Sequence, residues 1–329
     1  MGVLSPFAGT WVFTPTLTLP HQGGENRIRR QRIIPMSDRL LINVFNIDAA
    51  LMVARAKGFF AAAGLDVDVK VTPNSTDQMR GLGQGSWQIV STAFDNVLGW
   101  SGREGGAEIV AIAQVAQGVV LPVYVRPEIK TWEDLRSKPL AVDAVDTAYA
   151  MVLRRVLLAH GLEMERGDYR LMAKGTTEYR LHSMIQGETF AGVLNAPWDA
   201  KAAAAGMVRF ADHREVLPDY PGGVFAVSRR WAAENRDLLV KYLRVWNDAL
   251  GWAHEEKNRG EALRLITTEE KLDEKGAARK LAQLPASGNL NLSGLQSVLG
   301  LRVQFNLTPP MGTKLDRYYD ETFYQTAIS

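Results

Sequence analysis

The sequence predicts an α/β protein of two similar lobes, on three observations. From Leu40 onward, short apolar strands alternate with amphipathic helical segments, the grammar of parallel βαβ units and not of a sandwich. One stretch of the first half is echoed about a hundred residues later, too far apart for a solenoid and right for two lobes. The chain has 329 residues, which at a prior of ~150 residues per domain is enough for two cores.

Leu40 to Phe45 is an apolar run bounded by polar residues, a buried strand. Asp48 follows as a candidate N-cap. Met52, Ala56, Phe59, Phe60 and Ala63 recur at steps of three and four, which predicts one helical face ending at a left-handed Gly64, with Leu65 as its apolar contact. Val67, Val69 and Val71 alternate with Asp68 and Lys70, a strand with one solvated face. The pattern continues with a helix around Thr76 to Leu82 and strands near Gln88 to Thr92 and Ile109 to Ala113. Val224 to Ser228 is a further strand. Trp231 to Glu256 follows as one long amphipathic helix, and charged helices from Gly260 to Leu284 wrap the outside.

The echo carries more weight than any short motif. Residues 75–95 begin Ser-Thr-Asp-Gln-Met-Arg, turn at Gln84-Gly85 and end Val90-Ser91-Thr92-Ala93-Phe94-Asp95. Residues 176–199 begin Thr-Thr-Glu-Tyr-Arg, turn at Gln186-Gly187 and end Val193-Leu194-Asn195-Ala196-Pro197-Trp198-Asp199. Both pass from a hydroxyl pair through a short helix and a Gln-Gly turn to an apolar strand tipped by an aromatic ring and an aspartate.

Composition closes several routes. With 46% hydrophobic and 22% charged residues the chain is neither disordered nor fibrous. A net charge of +2 offers no field for wrapping nucleic acid. There is no cysteine, hence no thiolate nucleophile, zinc-thiolate site or disulfide. No uninterrupted apolar run reaches the ~18–20 residues of a membrane span. Residues 1–35 read differently from the rest: prolines punctuate them, and the apolar stretch Trp11 to Leu19 precedes the arginines of 27–32, the reverse of an export signal. They are expected to be a disordered extension, with Met36 as an alternative start and a cytoplasmic location if it is the start. An export signal of unusual order is the other reading.

In open parallel sheets, ligands bind beyond the carboxyl ends of the strands. The pattern places there Asn46 and Asp48, then Ser75 and Thr76, then Thr92, Phe94 and Asp95. From the second lobe come Asp143, Asp146 and Thr147, then Asn195, Trp198 and Asp199, with Tyr220 just before Gly222-Gly223. The set is short-chain polar plus aromatic, rich in aspartate and poor in arginine and lysine, whereas an anion site would show Arg or a glycine nest. It implies a ligand that donates hydrogen bonds or carries positive charge, with an aromatic or apolar part against Phe94 or Trp198. Each aspartate singly reads as a helix cap; the functional reading rests on five clustering.

Catalytic constellations are weak. The five histidines have no metal-ligand spacing, so no metal and no cofactor is expected, and His182 is the one candidate general base. Gly81, Gly83 and Gly85 precede a strand, whereas a dinucleotide fingerprint must follow one.

Met52 to Phe60, with Ala56-Lys57-Gly58-Phe59-Phe60, then Gly64-Leu65-Asp66-Val67, resembles the opening of the substrate-binding proteins of ABC importers for nitrate, sulfonates, taurine and thiamine-pyrimidine precursors. Thr131 to Leu135 followed by Lys138 to Val142, and Gly187 with Asn195-Ala196-Pro197-Trp198, are similar to that group's second-lobe segments. The resemblance covers roughly residues 40–260. It implies the type II periplasmic-binding-protein fold, with residues 36–120 plus 223–329 as one lobe and 121–222 as the other. Two crossings near Gln117 to Val125 and Pro221 to Val227 would hinge at Gly118, Gly222 and Gly223. It also implies a small-molecule ligand, a monomer, an importer permease as partner and an extracytoplasmic location. The other reading is an intracellular enzyme of the same fold, a decarboxylase or other lyase using His182 and the aspartates.

Overall fold

The structure is a computed structural model, and it describes residues 38–72, 74–103 and 106–329. The expectations for residues 1–35, and Met36 as a start, lie outside the described residues.

The first lobe is opened by β1 (Asp38–Val44), α1 (Ala49–Ala56), α2 (Phe59–Ala62), β2 (Leu65–Val71), α3 (Ser75–Gln84), β3 (Ile89–Thr92), α4 (Phe94–Trp100) and β4 (Ile109–Gln114). The chain then crosses over. The second sheet takes β5 (Pro122–Val125), β6 (Lys138–Val142), β7 (Tyr169–Ala173), β8 (Ala191–Val193) and β9 (Val208–Asp212). Between these strands lie α5 (Ala148–Ala159), α6 (Thr177–Ile185) and α7 (Trp198–Ala204). A second crossing returns to β10 (Val224–Ser228), which completes the first sheet.

The two five-stranded sheets have orders β2-β1-β3-β10-β4 and β7-β6-β8-β5-β9. They superimpose in topology: β1 and β6 each run parallel to both neighbours, while β10 and β5 run antiparallel to both of theirs. Each antiparallel strand is the one entered directly from a crossing. It arrives at the tip end of the sheet, so it must run against the others. Gly85 and Gly187 end α3 and α6 at φ +78° and +79°, and each leads to the central strand of its sheet. The echo in the sequence is therefore one structural unit used twice.

Two expected helices are each divided. The face from Met52 to Ala63 breaks into α1 and α2 because Gly58 takes φ +72°. The pattern from Trp231 to Glu256 becomes α8 (Arg229–Glu234) and α9 (Arg236–His254), separated at Asn235, whose side chain donates to the Trp231 carbonyl. The charged segment folds as α10 (Arg259–Glu270) and α11 (Glu274–Leu281).

The crossings comprise residues 115–121 and 213–223; Pro122–Val125 and Val224–Val227, expected within them, are strand. They run side by side, with Val115 N–H donating to Gly223 O at 2.9 Å. Gly222 is needed for this approach, since a β-carbon there would lie 2.3 Å from Ala116 O. Gly118 has no such constraint and faces Tyr220 O at ordinary contact distance.

The outer face of the first sheet packs Leu40, Ile42 and Phe225 against Tyr242 and Trp246 of α9. Another apolar cluster is shared: Val90, Phe94 and Val224 of the first lobe and Val123, Leu140 and Met151 of the second meet Leu295, Val298 and Leu299 of α12 (Leu292–Gln304). That helix packs on α4 and on α5, one from each lobe. The chain closes with α13 (Thr322–Ile328), which packs on α9.

Candidate functional site between the lobes

Asp95 stands in the first turn of α4, where β3 ends, and is buried. Its Oδ1 accepts from Arg302 Nη1 at 2.6 Å, and the arginine's Nε donates to Leu307 O. Despite this pair the Asp95 carboxyl is pushed up to about 6, by burial first and then by the charges of Asp143 and Asp146. Those two aspartates follow β6 of the other lobe, so carboxylates of both lobes act on one another.

Asp143 is half-buried and accepts from the Thr147 hydroxyl at 2.6 Å; burial raises its carboxyl and Arg180 opposes the rise. Asp146 is exposed beside it, and Thr147 also caps α5 through Ala150 N–H. Tyr220 of the second crossing is buried, and its hydroxyl is held well above the ordinary range by burial and by Asp95, Tyr149 and Asp143. Asp95, Asp143, Asp146 and Tyr220 thus form one electrostatic neighbourhood, joined by Tyr149, Arg180 and Arg302.

Arg180 is buried on α6 with its donors directed to Val193 O, Gly175 O and Thr177 Oγ1. Thr177 Oγ1 in turn donates to Asn195 Oδ1 at 2.8 Å, which ties Asn195 to the same wall. Thr92 is buried at the end of β3 and accepts from Asn96. Phe94 is buried in the shared apolar cluster.

The remaining expected residues stand elsewhere or serve local structure. Asp48 caps α1 through Leu51 N–H and accepts from Trp246 Nε1 at 3.1 Å. Burial raises its carboxyl, and its second oxygen is buried without a partner. Asn46 is exposed in the bend after β1; Ser75 and Thr76 open α3, whose cap is Asn74. Trp198 opens α7 under Lys201, whose Nζ lies 3.6 Å from the ring centroid. His182 is exposed and meets the Trp198 ring edge-on. Asp199 accepts from the next residue's N–H and acts on Tyr124. Among the described residues, no three His, Cys, Asp or Glu are grouped to hold a metal ion.

The sequence reading missed Tyr149, Arg180 and Arg302. Arg180 lies three residues after Thr177, a spacing that puts both on one helical face. Arg302 is 207 positions from Asp95 and carries no local signal.

The fold is that of the two-lobed periplasmic binding proteins. The alkanesulfonate-binding protein SsuA of Xanthomonas axonopodis pv. citri, bound to MOPS, superimposes with a TM-score of 0.69 at 18% identity, over 86% of this chain and 98% of that one. The periplasmic nitrate-binding protein NrtA of Synechocystis PCC 6803 gives 0.71 at 14% identity, over 89% and 88%. The desulfurization enzyme DSZB gives 0.63 at 17% identity, over 88% and 99%, so the architecture serves catalysts as well as binders. No curated protein matches the sequence. The family model described as NMT1/THI5 like matches residues 47–259, a range that begins after β1 and takes in Asp95, Asp143, Asp146 and Tyr220, and the chain belongs to that family.

Proposed function

We propose that the protein captures a small organic solute bearing an amine, with an aromatic or heterocyclic body, between its lobes and delivers it to an ABC importer outside the cytoplasm. The observation that carries this is the approach of Asp95 from one lobe to Asp143 and Asp146 from the other. Burial drives the Asp95 carboxyl up to about 6 in spite of Arg302, and repulsion from Asp143 and Asp146 adds to the rise. An ammonium or protonated heterocycle entering here would relieve that repulsion and gain charge-assisted hydrogen bonds. By their names, two of the structural neighbours hold sulfonate and nitrate. Such anions call for a cation facing the ligand, whereas Arg180 is turned to carbonyls and a hydroxyl and Arg302 to Asp95.

The test is a thermal-shift panel of small aromatic amines, matched neutral heterocycles and matched sulfonates, with each compound recovered and weighed by mass spectrometry. At about a hundredfold excess over Kd a ligand stabilises by about 2.7 kcal/mol, so an amine that fits is expected to raise Tm by several degrees and to be returned unchanged. Asp143→Asn should weaken that shift. A shift from sulfonates alone, or consumption of a compound, would overturn the reading.

A further inference from the structure

His213 opens the second crossing and is buried. Its backbone N–H donates to Leu121 O at 3.3 Å, and its ring Nδ1 accepts from Leu121 N–H at 3.2 Å. Leu121 is the last residue of the first crossing, so this reciprocal pair clasps the two crossings at the end next to the second sheet. At the other end they are held by Val115 N–H to Gly223 O, a bond that involves no titratable group.

The same Nδ1 lies 4.0 Å from Asp212 Oδ1. Asp212 is gripped by Arg209 and Arg214 and held below the usual carboxylate range, so it stays charged in acid. A neutral ring with Nδ1 as acceptor fits Leu121. A protonated ring is a donor at that atom and cannot accept; its attraction is to Asp212 instead. One atom therefore stands between two partners that suit different protonation states. The ring also meets Tyr220 edge-on, with centroids 5.6 Å apart, and Tyr220 belongs to the acidic neighbourhood of Asp95 and Asp143.

We propose that His213 is a proton-sensitive pin of the hinge: neutral, it fastens the crossings to each other and seats Tyr220; protonated, it swings to Asp212 and frees Leu121 N–H. The charges that act on the ring are Asp212 and Arg214. Residues 115–121 of the facing crossing include no ionisable side chain. The helix α5 packs on this turn and carries Arg154, turned to Glu165 and Phe305, and Arg155. Burial keeps the ring neutral down to below the ordinary histidine range, which places the release on the acid side of neutrality. Only the consequence for solute, looser holding in acid, rests on the reading of the cleft as a binding site.

The experiment uses the full chain without solute, so it stands whatever the cleft binds. Amide hydrogen exchange of Leu121, corrected for the intrinsic pH dependence, is followed from about pH 8 to about pH 5. In the wild type its protection is expected to fall about tenfold or more while that of Val115 is kept. In His213→Asn, whose Oδ1 accepts like Nδ1 but does not titrate, Leu121 protection is expected to stay level. Level protection in the wild type, or an equal fall in His213→Asn, overturns the proposal. Should that variant not fold, the NMR titration of the His213 ring in the wild type decides: a ring whose protonation leaves the Leu121 amide signal in place also overturns it.

Discussion

A β-carbon on Gly81 would lie 2.2 Å from Cζ2 of the Trp87 ring, while one on Gly83 meets open space and Gly85 takes φ +78°. Three glycines that look alike in sequence therefore do three different things. Gly81 lets the tryptophan lie across α3, with its Nε1 donating to Gln78 O at 2.7 Å. Gly81→Ala must displace that ring, and overpacking of this kind costs about 1–3 kcal/mol. Gly83→Ala, on an exposed helical position, is expected to stabilise by up to about 1 kcal/mol, and Gly85→Ala to destabilise by about 1–2 kcal/mol through its left-handed backbone. Urea unfolding of the three variants checks the order. The run Gly81, Gly83, Gly85 thus serves packing and capping, a role its position ahead of a strand did not reveal.

At the scale of an element, α12 joins the lobes. Its Asn291 cap donates to Asp219 O of the second crossing. Arg302 reaches Asp95 on one lobe, and Phe305, just past the helix, lies 4.0 Å from the Arg154 guanidinium on the other. Removing one partner of a buried pair costs about 3–5 kcal/mol, whereas replacing both by neutral groups can cost little. Arg302→Met is therefore expected to lower stability strongly, and the double variant Asp95→Asn, Arg302→Met to recover most of the loss, read as a double-mutant cycle in denaturant. The pattern of the sequence made β1, β3, β4 and β10 legible because their apolar runs are bounded and short. It did not single out β9, Val-Arg-Phe-Ala-Asp, whose outer residues are exposed. Nor did it foresee α12 as a bridge, because a helix of apolar residues says only that it is buried, not against what. The broken helices at Gly58 and Asn235 show the same limit, since periodicity of side chains survives a backbone break.

For the whole molecule, protonation pulls stability in two directions. Burial raises the Asp48, Asp95 and Asp143 carboxyls. The folded chain then holds protons that the unfolded chain has released, so these groups favour folding below the ordinary carboxylate range and lose that contribution as pH rises, for Asp95 through about 6. His213 works the other way: its folded pKa is lowered, so its contribution is full above the ordinary histidine range and is lost as pH falls. Relative to Asp95→Asn, which does not titrate, the wild type is expected to gain stability from about pH 7 towards about pH 4, measured by denaturant midpoints of both across the range. Of the acidic tips legible in the sequence, Asp95 follows the central strand β3 of one sheet, and Asp143 and Asp146 follow β6, next to the central strand of the other, and their charges act on one another. Asp48 is held by its cap bond to Leu51 N–H and by Trp246, and Asp199 by the N–H of Ala200.

The placement of β10 sets an order on synthesis. The second sheet needs nothing beyond Asp212, so a growing chain can finish it while the first still lacks the strand that belongs between β3 and β4. Until Val224–Ser228 emerges, the facing edges of β3 and β4 have unpaired backbone groups of the kind that invite misassembly. The half of the protein begun first is thus the half completed last, and its nascent form is where a chaperone would find something to hold.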